Sequence, residues 1–138
     1  MKNQLELKNV EKAASVLNGV AFKTPLMLNT NKSKEFEANI YFKREDLQQV
    51  RSYKIRGAYN KIASLTQMEL ANGVVCASAG NHAQGVAFSC FKMKVRGVIF
   101  MPLPTPNQKI EQVKMFGGEW VEIILYGDTF DDASMKAI

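Results

Sequence analysis

The sequence is poor in the residues that build disulfide frameworks and metal sites. It has only two cysteines and one histidine in 138 residues. Cys76 and Cys90 lie inside apolar segments without the spacing of metal ligands, so we expect small buried hydrophobic side chains in a reducing compartment. Because His82 is the single histidine, a metal site built from several histidines is excluded for this chain.

Long hydrophobic runs are also missing. Apolar stretches such as 98–101 and 123–126 are far shorter than the roughly 20 residues that span a bilayer. Residues 1–20 contain no continuous apolar segment of the kind found in secretory signals. We therefore expect a cytoplasmic protein that has no membrane partner.

The basic residues form no cluster, although the formal net charge is +5, with 18 lysines and arginines against 13 acidic residues. Aromatic residues are not interleaved with these cations, which argues against nucleic-acid binding. The positive charge instead favours the attraction of small phosphates and carboxylates. Neither a G-x-G-x-x-G nor a Walker A sequence occurs, so the usual nucleotide-binding loops are excluded.

Strand and helix patterns alternate along the chain from about residue 39 onward. Helices between successive strands are typical of parallel sheets, whose strands need crossover connections. We therefore predict an α/β fold with an open four-stranded parallel sheet and helices on both faces. The predicted strands cover 39–44, 74–77, 95–101 and 120–125, and the predicted helices cover 52–65, 80–92, 106–116, a short stretch between Thr66 and Gly73, and the segment after Asp128.

Residues 1–38 have a different character. Helical pieces near 10–17 and 32–36 flank an extended Lys-Thr-Pro-Leu stretch, and we interpret the whole segment as an N-terminal arm. Residues 39–138 then form a small α/β subdomain. The last predicted helix runs into Ile138 without a stop signal, which suggests a fragment of a longer protein.

Lys54 is unusual because it lies in the first turn of the helix predicted over 52–65. Lysines are normally placed near helix C-termini, whose partial negative charge attracts them. A cationic setting favours the uncharged, nucleophilic amine that carbonyl chemistry requires. The alternative is an ordinary solvated lysine. Three arginines are close to Lys54 along the chain: Arg44, Arg51 and Arg56.

Two neighbours of Lys54 have predicted local roles. Ser52 is the expected N-cap of the helix. Gly57 is unfavourable inside a helix by about 1 kcal/mol relative to alanine, so we expect another group to approach the backbone closely there.

A second polar segment, SAGNHAQG (78–85), directly follows the predicted strand 74–77. Ligands of open parallel sheets bind at the carboxyl ends of strands, and the free N–H groups of a helix start bind anions. We predict an anion site here, although simple N-capping explains the local pattern equally well. His82 lies in the first turn, as an acid–base group or as a structural residue.

The segments SYKIRGA (52–58) and SAGNHAQG together resemble the motifs of the threonine/serine dehydratases, which are fold-type II enzymes that use pyridoxal 5′-phosphate (PLP). The resemblance covers nearly the whole chain from about residue 23. It continues through KTPL (23–26), KREDLQ (43–48), Met101-Pro102 and GDTF (127–130).

This resemblance implies specific roles. Lys54 would bind PLP covalently and remove the substrate's Cα proton, Tyr53 would pack near the cofactor ring, and Asn81 would hydrogen-bond the cofactor's 3′-oxygen. The full-length enzyme would deaminate L-threonine, and also L-serine, in isoleucine biosynthesis as a homo-oligomer. The loop that grips the substrate carboxylate would comprise Ser78, Ala79, Gly80, Asn81 and His82.

The chain departs from the family pattern in three ways. Tyr53 stands where phenylalanine is common, and Ala79 stands where serine racemases usually carry a catalytic serine, which favours elimination over racemisation. The glycine-rich loop that holds the cofactor phosphate is missing, as is the polar partner of the pyridine nitrogen. We therefore predict that these residues are the smaller catalytic subdomain and its arm, which normally packs on the absent larger subdomain, and that this chain alone neither binds PLP tightly nor turns over.

Two alternative functions remain. One is a serine dehydratase or racemase of the same family. The other is a non-catalytic anion-binding α/β module, which would have to bind phosphate without the usual loops.

Overall fold

The computed structural model describes residues 6–138, so residues 1–5 of the predicted arm lie outside the described part of the chain. The helices are α1 (Leu7–Val16), α2 (Thr30–Glu35), α3 (Lys54–Ala63), α4 (Gln67–Asn72), α5 (Asn81–Met93), α6 (Asn107–Gly117) and α7 (Phe130–Lys136). The strands are β1 (Leu26–Leu28), β2 (Tyr41–Lys43), β3 (Val74–Ala77), β4 (Gly97–Met101) and β5 (Val121–Leu125). Short 3₁₀ turns cover Glu45–Leu47 and Gly118–Trp120.

The α/β class is confirmed, but the parallel sheet described by the structure has three strands and not the predicted four. Its order is β3-β4-β5, and β4 is the central strand. The segment predicted as a fourth strand becomes β2, which pairs antiparallel with β1, so that Met27 lies opposite Phe42. Alternating residues predict an extended segment, but they carry no information about which strand it pairs with.

Two of the shorter helices begin with capping boxes. Thr66 and Glu69 form the capping box of α4, and Gly73 ends that helix with a φ of 81°, a conformation that glycine adopts without strain. Thr129 caps α7 through a second capping box, whose other member is Asp132. Both caps satisfy backbone N–H groups that the helix itself leaves unpaired.

The expected role of Ser52 is wrong. Helix α3 begins at Lys54, and the residue at its N-cap position is Tyr53, which makes no side-chain capping hydrogen bond. The Ser52 hydroxyl is buried and has no partner among the described residues. The first turn of α3 therefore depends on contacts from other segments for its order.

The main core lies around α5, between the sheet and helices α3 and α6. Ala83, Ala87 and Cys90 of α5 pack with the fully buried Ile99 and Met101 of β4. Small residues on the inner face of α5 allow the neighbouring helices to come close. This packing fixes the start of α5 relative to the start of α3.

A second buried cluster consists of Val50, Ile55 and Phe88. It connects α5 with α3 and with the loop that precedes α3.

The free cysteines also lie inside the protein. Cys90 is fully buried and Cys76 is partly buried. Burial raises the pKa of the Cys76 thiol to about 12 and that of Cys90 to about 11, so both thiols remain protonated and unreactive at neutral pH.

Among residues 6–138, no helix combines the length and apolar character needed to cross a bilayer.

Candidate active site

Lys54 opens α3 at the edge of a cavity of about 490 Å³. The adjacent Tyr53 lines the same cavity, and its ring centroid lies 5.3 Å from Lys54 Nζ. The Tyr53 side chain is 61% exposed, so one face of the ring is free to stack on a ligand. Val75 and Cys76 of β3 form part of the apolar wall.

His82, in the first turn of α5, lines the cavity of Lys54. Partial desolvation lowers the pKa of His82 below its ordinary value, and the positive charge of Lys54 lowers it further. The imidazole is therefore neutral at physiological pH. The starts of α3 and α5 thus face one space, although they are distant in sequence.

The loop before α5 has both of the features that the sequence predicts as alternatives, a side-chain cap and free backbone N–H groups. Ser78 acts as a cap, since its hydroxyl accepts hydrogen bonds from the N–H groups of Gly80 and Ala83, both at 3.3 Å. The N–H groups of Asn81 and His82 have no acceptor among residues 6–138. The loop therefore combines a side-chain cap with free N–H groups at a helix start, an arrangement that is able to bind anions.

Asn81 does not line the cavity of Lys54. It lies at a second, more polar cavity of about 570 Å³, together with Arg51, Gln84 and Gln112. The Gln84 side chain donates to the Gln112 Oε1 atom at 2.9 Å. Of the predicted site residues, the structure therefore brings Tyr53, Lys54 and His82 together and places Asn81 beside them at the next cavity.

Close approach between protein segments occurs at Gly85, whereas no described residue closely approaches Gly57, where a close contact was expected. A Cβ atom at Gly85 would lie 3.0 Å from the carbonyl oxygen of Lys54 and 3.3 Å from the Ala58 Cβ atom. A Cβ atom at Gly57 would meet nothing within 4 Å, because Gly57 borders the open cavity. Gly85 thus sets the distance between the two helix starts.

Two of the arginines near Lys54 are neutralised by carboxylates. Arg44 binds Asp46 through two hydrogen bonds of 2.8 and 2.7 Å, and Arg56 binds Glu45 in the same bidentate manner at 2.9 and 2.8 Å. The predicted cationic setting of Lys54 is therefore much weaker than the sequence suggests. The KREDLQ motif contains both carboxylates, at residues 45 and 46, but the sequence does not indicate which arginine each of them binds.

Comparisons with known proteins identify the family to which the chain is similar. The profile of the family described as "Pyridoxal-phosphate dependent enzyme" matches residues 17–138. The biosynthetic L-threonine dehydratase IlvA of Halalkalibacterium halodurans is 54% identical over 134 residues, which cover 97% of this chain and 32% of the relative. The chain thus spans about a third of the length of such curated relatives.

Two solved structures are similar to the fold. Threonine deaminase isoform 2 from Solanum lycopersicum has 40% sequence identity and a TM-score of 0.81, over 96% of this chain and 37% of that one. Maize serine racemase has 29% identity and a TM-score of 0.87, over 96% of this chain and 39% of that one. The resemblance drawn from the motifs around Lys54 and Asn81 is confirmed, and the chain belongs to the family of pyridoxal-phosphate-dependent enzymes.

Proposed function

We propose that the protein containing this chain is a PLP-dependent threonine ammonia-lyase that converts L-threonine to 2-oxobutanoate and ammonia. We propose L-serine as a second substrate and isoleucine biosynthesis as the setting. The observation that carries the proposal is the meeting of Lys54 with His82 and the start of α5 at one cavity. The name of the relative from Halalkalibacterium halodurans, a biosynthetic L-threonine dehydratase, supports the same reaction.

The described residues fit the reactive end of PLP. Lys54 offers an amine to the aldehyde, and the exposed ring of Tyr53 offers a surface to the pyridine. The sequence contains no glycine-rich loop for the phosphate. We therefore propose that residues outside this chain hold the phosphate, and that this chain alone neither binds PLP tightly nor turns over.

PLP, when bound, supplies an electron sink for charge that develops at the substrate Cα atom. Lys54 Nζ takes up the Cα proton. The free N–H groups of Asn81 and His82, at the positive end of α5, would hold the substrate carboxylate. The Asn81 side chain, at the neighbouring cavity, would reach across to hydrogen-bond the cofactor's 3′-oxygen. The β-hydroxyl would leave as water with the proton that Lys54 took from Cα, so that the net loss is one water molecule, and the released enamine would tautomerise to an imine that water hydrolyses to the oxo acid and ammonia.

Elimination is favoured over racemisation because of Ala79. Racemisation requires a proton donor on the second face of the substrate, and the methyl group of Ala79 carries no exchangeable proton. Serine dehydratase activity remains the alternative within the family. Steady-state rates with L-threonine and L-serine on the whole protein separate these substrates.

We also propose a cytoplasmic homo-oligomer that acts on a small amino acid and has no nucleic-acid partner. The scattered lysines and arginines support the last point, because nucleic-acid binding needs a continuous basic surface.

The arm (residues 1–38) is proposed to pack on the larger subdomain of the whole protein. The ribbon formed by β1 and β2 exposes large apolar side chains: Leu26, Met27, Leu28, Tyr41 and Phe42 are each at least 46% exposed. An uncovered two-stranded ribbon is marginally stable, and such a surface favours association.

Met27→Lys is expected to reduce binding of an apolar dye by this chain, measured by fluorescence, because Met27 belongs to this exposed apolar surface. Met68→Lys, which changes an exposed methionine on α4, is the control, and equal effects of the two variants contradict the proposal.

The proposed role of Lys54 is tested by absorbance spectra of the whole protein with PLP at the visible wavelengths of a lysine-bound cofactor. The Lys54→Ala variant is expected to lose the band and the deaminase activity. Lys61→Ala is the matched control, because Lys61 is on the same helix and lines the same cavity. A band that persists in Lys54→Ala and disappears in Lys61→Ala would overturn the assignment.

A further inference from the structure

Glu45 lies at the centre of a group of hydrogen-bond donors. Its Oε1 atom accepts from the Thr24 hydroxyl at 2.5 Å and from Arg56 Nη2 at 2.8 Å. Its Oε2 atom accepts from Arg56 Nε at 2.9 Å and from Gln48 Nε2 at 3.2 Å. The Glu45 side chain is only 15% exposed, so these bonds replace most of its contact with water.

The same donors also hold the backbone of the arm. Arg56 Nη2 and Gln48 Nε2 donate to the Phe22 carbonyl oxygen at 2.9 and 2.8 Å, and the Phe22 N–H group donates to Gln48 Oε1 at 2.9 Å. Thr24 and Gln48 are buried. Glu45 therefore joins three segments: the arm, the 3₁₀ turn of residues 45–47 and the first turn of α3.

The first turn of α3 needs such a connection. Its N-cap position has no side-chain hydrogen bond, and Arg51, just before it, has a φ of 54°, a conformation that a non-glycine residue adopts only when its surroundings impose it. An uncapped helix start tends to fray. Arg56 follows Lys54 by two residues and holds this turn from one side, while Gly85 of α5 contacts the Lys54 backbone from another.

We propose that Glu45 is a positioning residue for Lys54: its pairing with Arg56 fixes the first turn of α3 against the arm and thereby directs the Lys54 amine into the cavity. This inference rests on the proposed function, in which that amine reacts with PLP. It adds a role for a residue that does not line the cavity. It also gives the KTPL and KREDLQ segments a common purpose, because Thr24, Glu45 and Gln48 belong to them.

The test measures where the amine reacts and not how fast the enzyme turns over. PLP is added to the whole protein that contains this chain, the carbon–nitrogen double bond formed with a lysine amine is reduced by borohydride, and labelling at Lys54 and Lys61 is quantified by peptide mass spectrometry. Lys61 lines the same cavity, so the ratio of the two cancels differences in PLP concentration there. The ratio is expected to favour Lys54 and to fall on the order of tenfold in Glu45→Gln, since small displacements of a reacting group have large effects on rate.

Glu45→Gln is informative because every partner of Glu45 donates to it, and in either orientation the glutamine NH₂ group would face an Arg56 N–H group, which cannot accept. Glu122→Gln is the matched control: it breaks the exposed Arg96–Glu122 pair and is expected to leave the ratio unchanged. Thr24→Val removes one donor and keeps the side-chain shape, and it is expected to lower the ratio by a smaller factor. This second variant decides the question if Glu45→Gln does not fold.

The outcomes separate the inference from the proposed function. An unchanged ratio in folded Glu45→Gln or Thr24→Val, together with a lower melting temperature, means that the cluster only stabilises the fold and overturns the inference. If the whole protein without substitutions shows no preference for Lys54, the proposed role of Lys54 is overturned, and the inference with it. A preference that is lost in Glu45→Gln and kept in Glu122→Gln supports both.

Discussion

Gly85→Ala is expected to lower the free energy of unfolding by up to about 2 kcal/mol, although alanine is normally the better helix former. The added methyl group would lie 3.0 Å from the Lys54 carbonyl oxygen and 3.1 Å from its carbonyl carbon. Such overpacking costs about 1–3 kcal/mol, and the helix propensity of alanine recovers at most about 1 kcal/mol. The backbone of α3 cannot easily move away, because Arg56 holds it to Glu45.

Gly57→Ala is the matched control for this prediction. Gly57 also lies inside a helix, but a Cβ atom there meets nothing within 4 Å. The same change should therefore raise the free energy of unfolding by up to about 1 kcal/mol. Urea denaturation of both variants measures the difference. If Gly85→Ala proves as stable as Gly57→Ala, the close contact between α3 and α5 is not rigid.

The stability contributed by Glu45 is expected to disappear in acid. Hydrogen bonding from Arg56 is the main reason that the pKa of Glu45 falls to about 2 from an ordinary 4.5, and the Thr24 and Gln48 side chains add to this effect. A lowered folded-state pKa means that the folded form binds its proton less readily than the unfolded form. The contribution is therefore complete above pH 4.5 and is lost as the pH falls toward 2. A shift of this size corresponds to about 3 kcal/mol at most.

This pH dependence is measured by urea unfolding at several pH values from 7 down to 2.5. The difference in free energy of unfolding between the unsubstituted chain and Glu45→Gln should be largest near neutral pH and should shrink between pH 4.5 and 2. Glu122→Gln should follow the unsubstituted chain closely, because the exposed Arg96–Glu122 pair contributes little. A constant difference for Glu45→Gln across this range would show that ionisation of Glu45 does not stabilise the fold.

Much of the local structure follows from short sequence patterns. Thr66 and Glu69 form the capping box that their spacing predicts, and the apolar segments around Val75, Ile99 and Ile123 form the three parallel strands. These features depend on interactions within a few residues or on short runs of apolar residues. Both are visible in the sequence. The motifs around Lys54 and Asn81 were likewise sufficient to indicate the family.

Sequence patterns predict structure less well where the structure depends on partners that are distant along the chain. The alternation around Phe42 predicts a strand, but only the folded chain pairs it with β1 and not with the parallel sheet. Ser52 is a residue type that favours the N-cap position, but α3 begins two residues later, at Lys54. The Ser52 hydroxyl is buried. In both cases tertiary packing overrides a local preference, because the free-energy difference between local alternatives is small.

Short-range patterns in the sequence are sufficient to predict the α/β class, the positions of most helices and strands, and the two segments that place Lys54 and the Ser78–His82 loop at helix starts. The meeting of these helix starts at one cavity, the close contact at Gly85 and the pairing of Glu45 with Arg56 are visible only in the folded chain. The two groups of features differ in range, because helix and strand signals arise between near neighbours, whereas cavities, close contacts and ion pairs form between residues that only folding brings together.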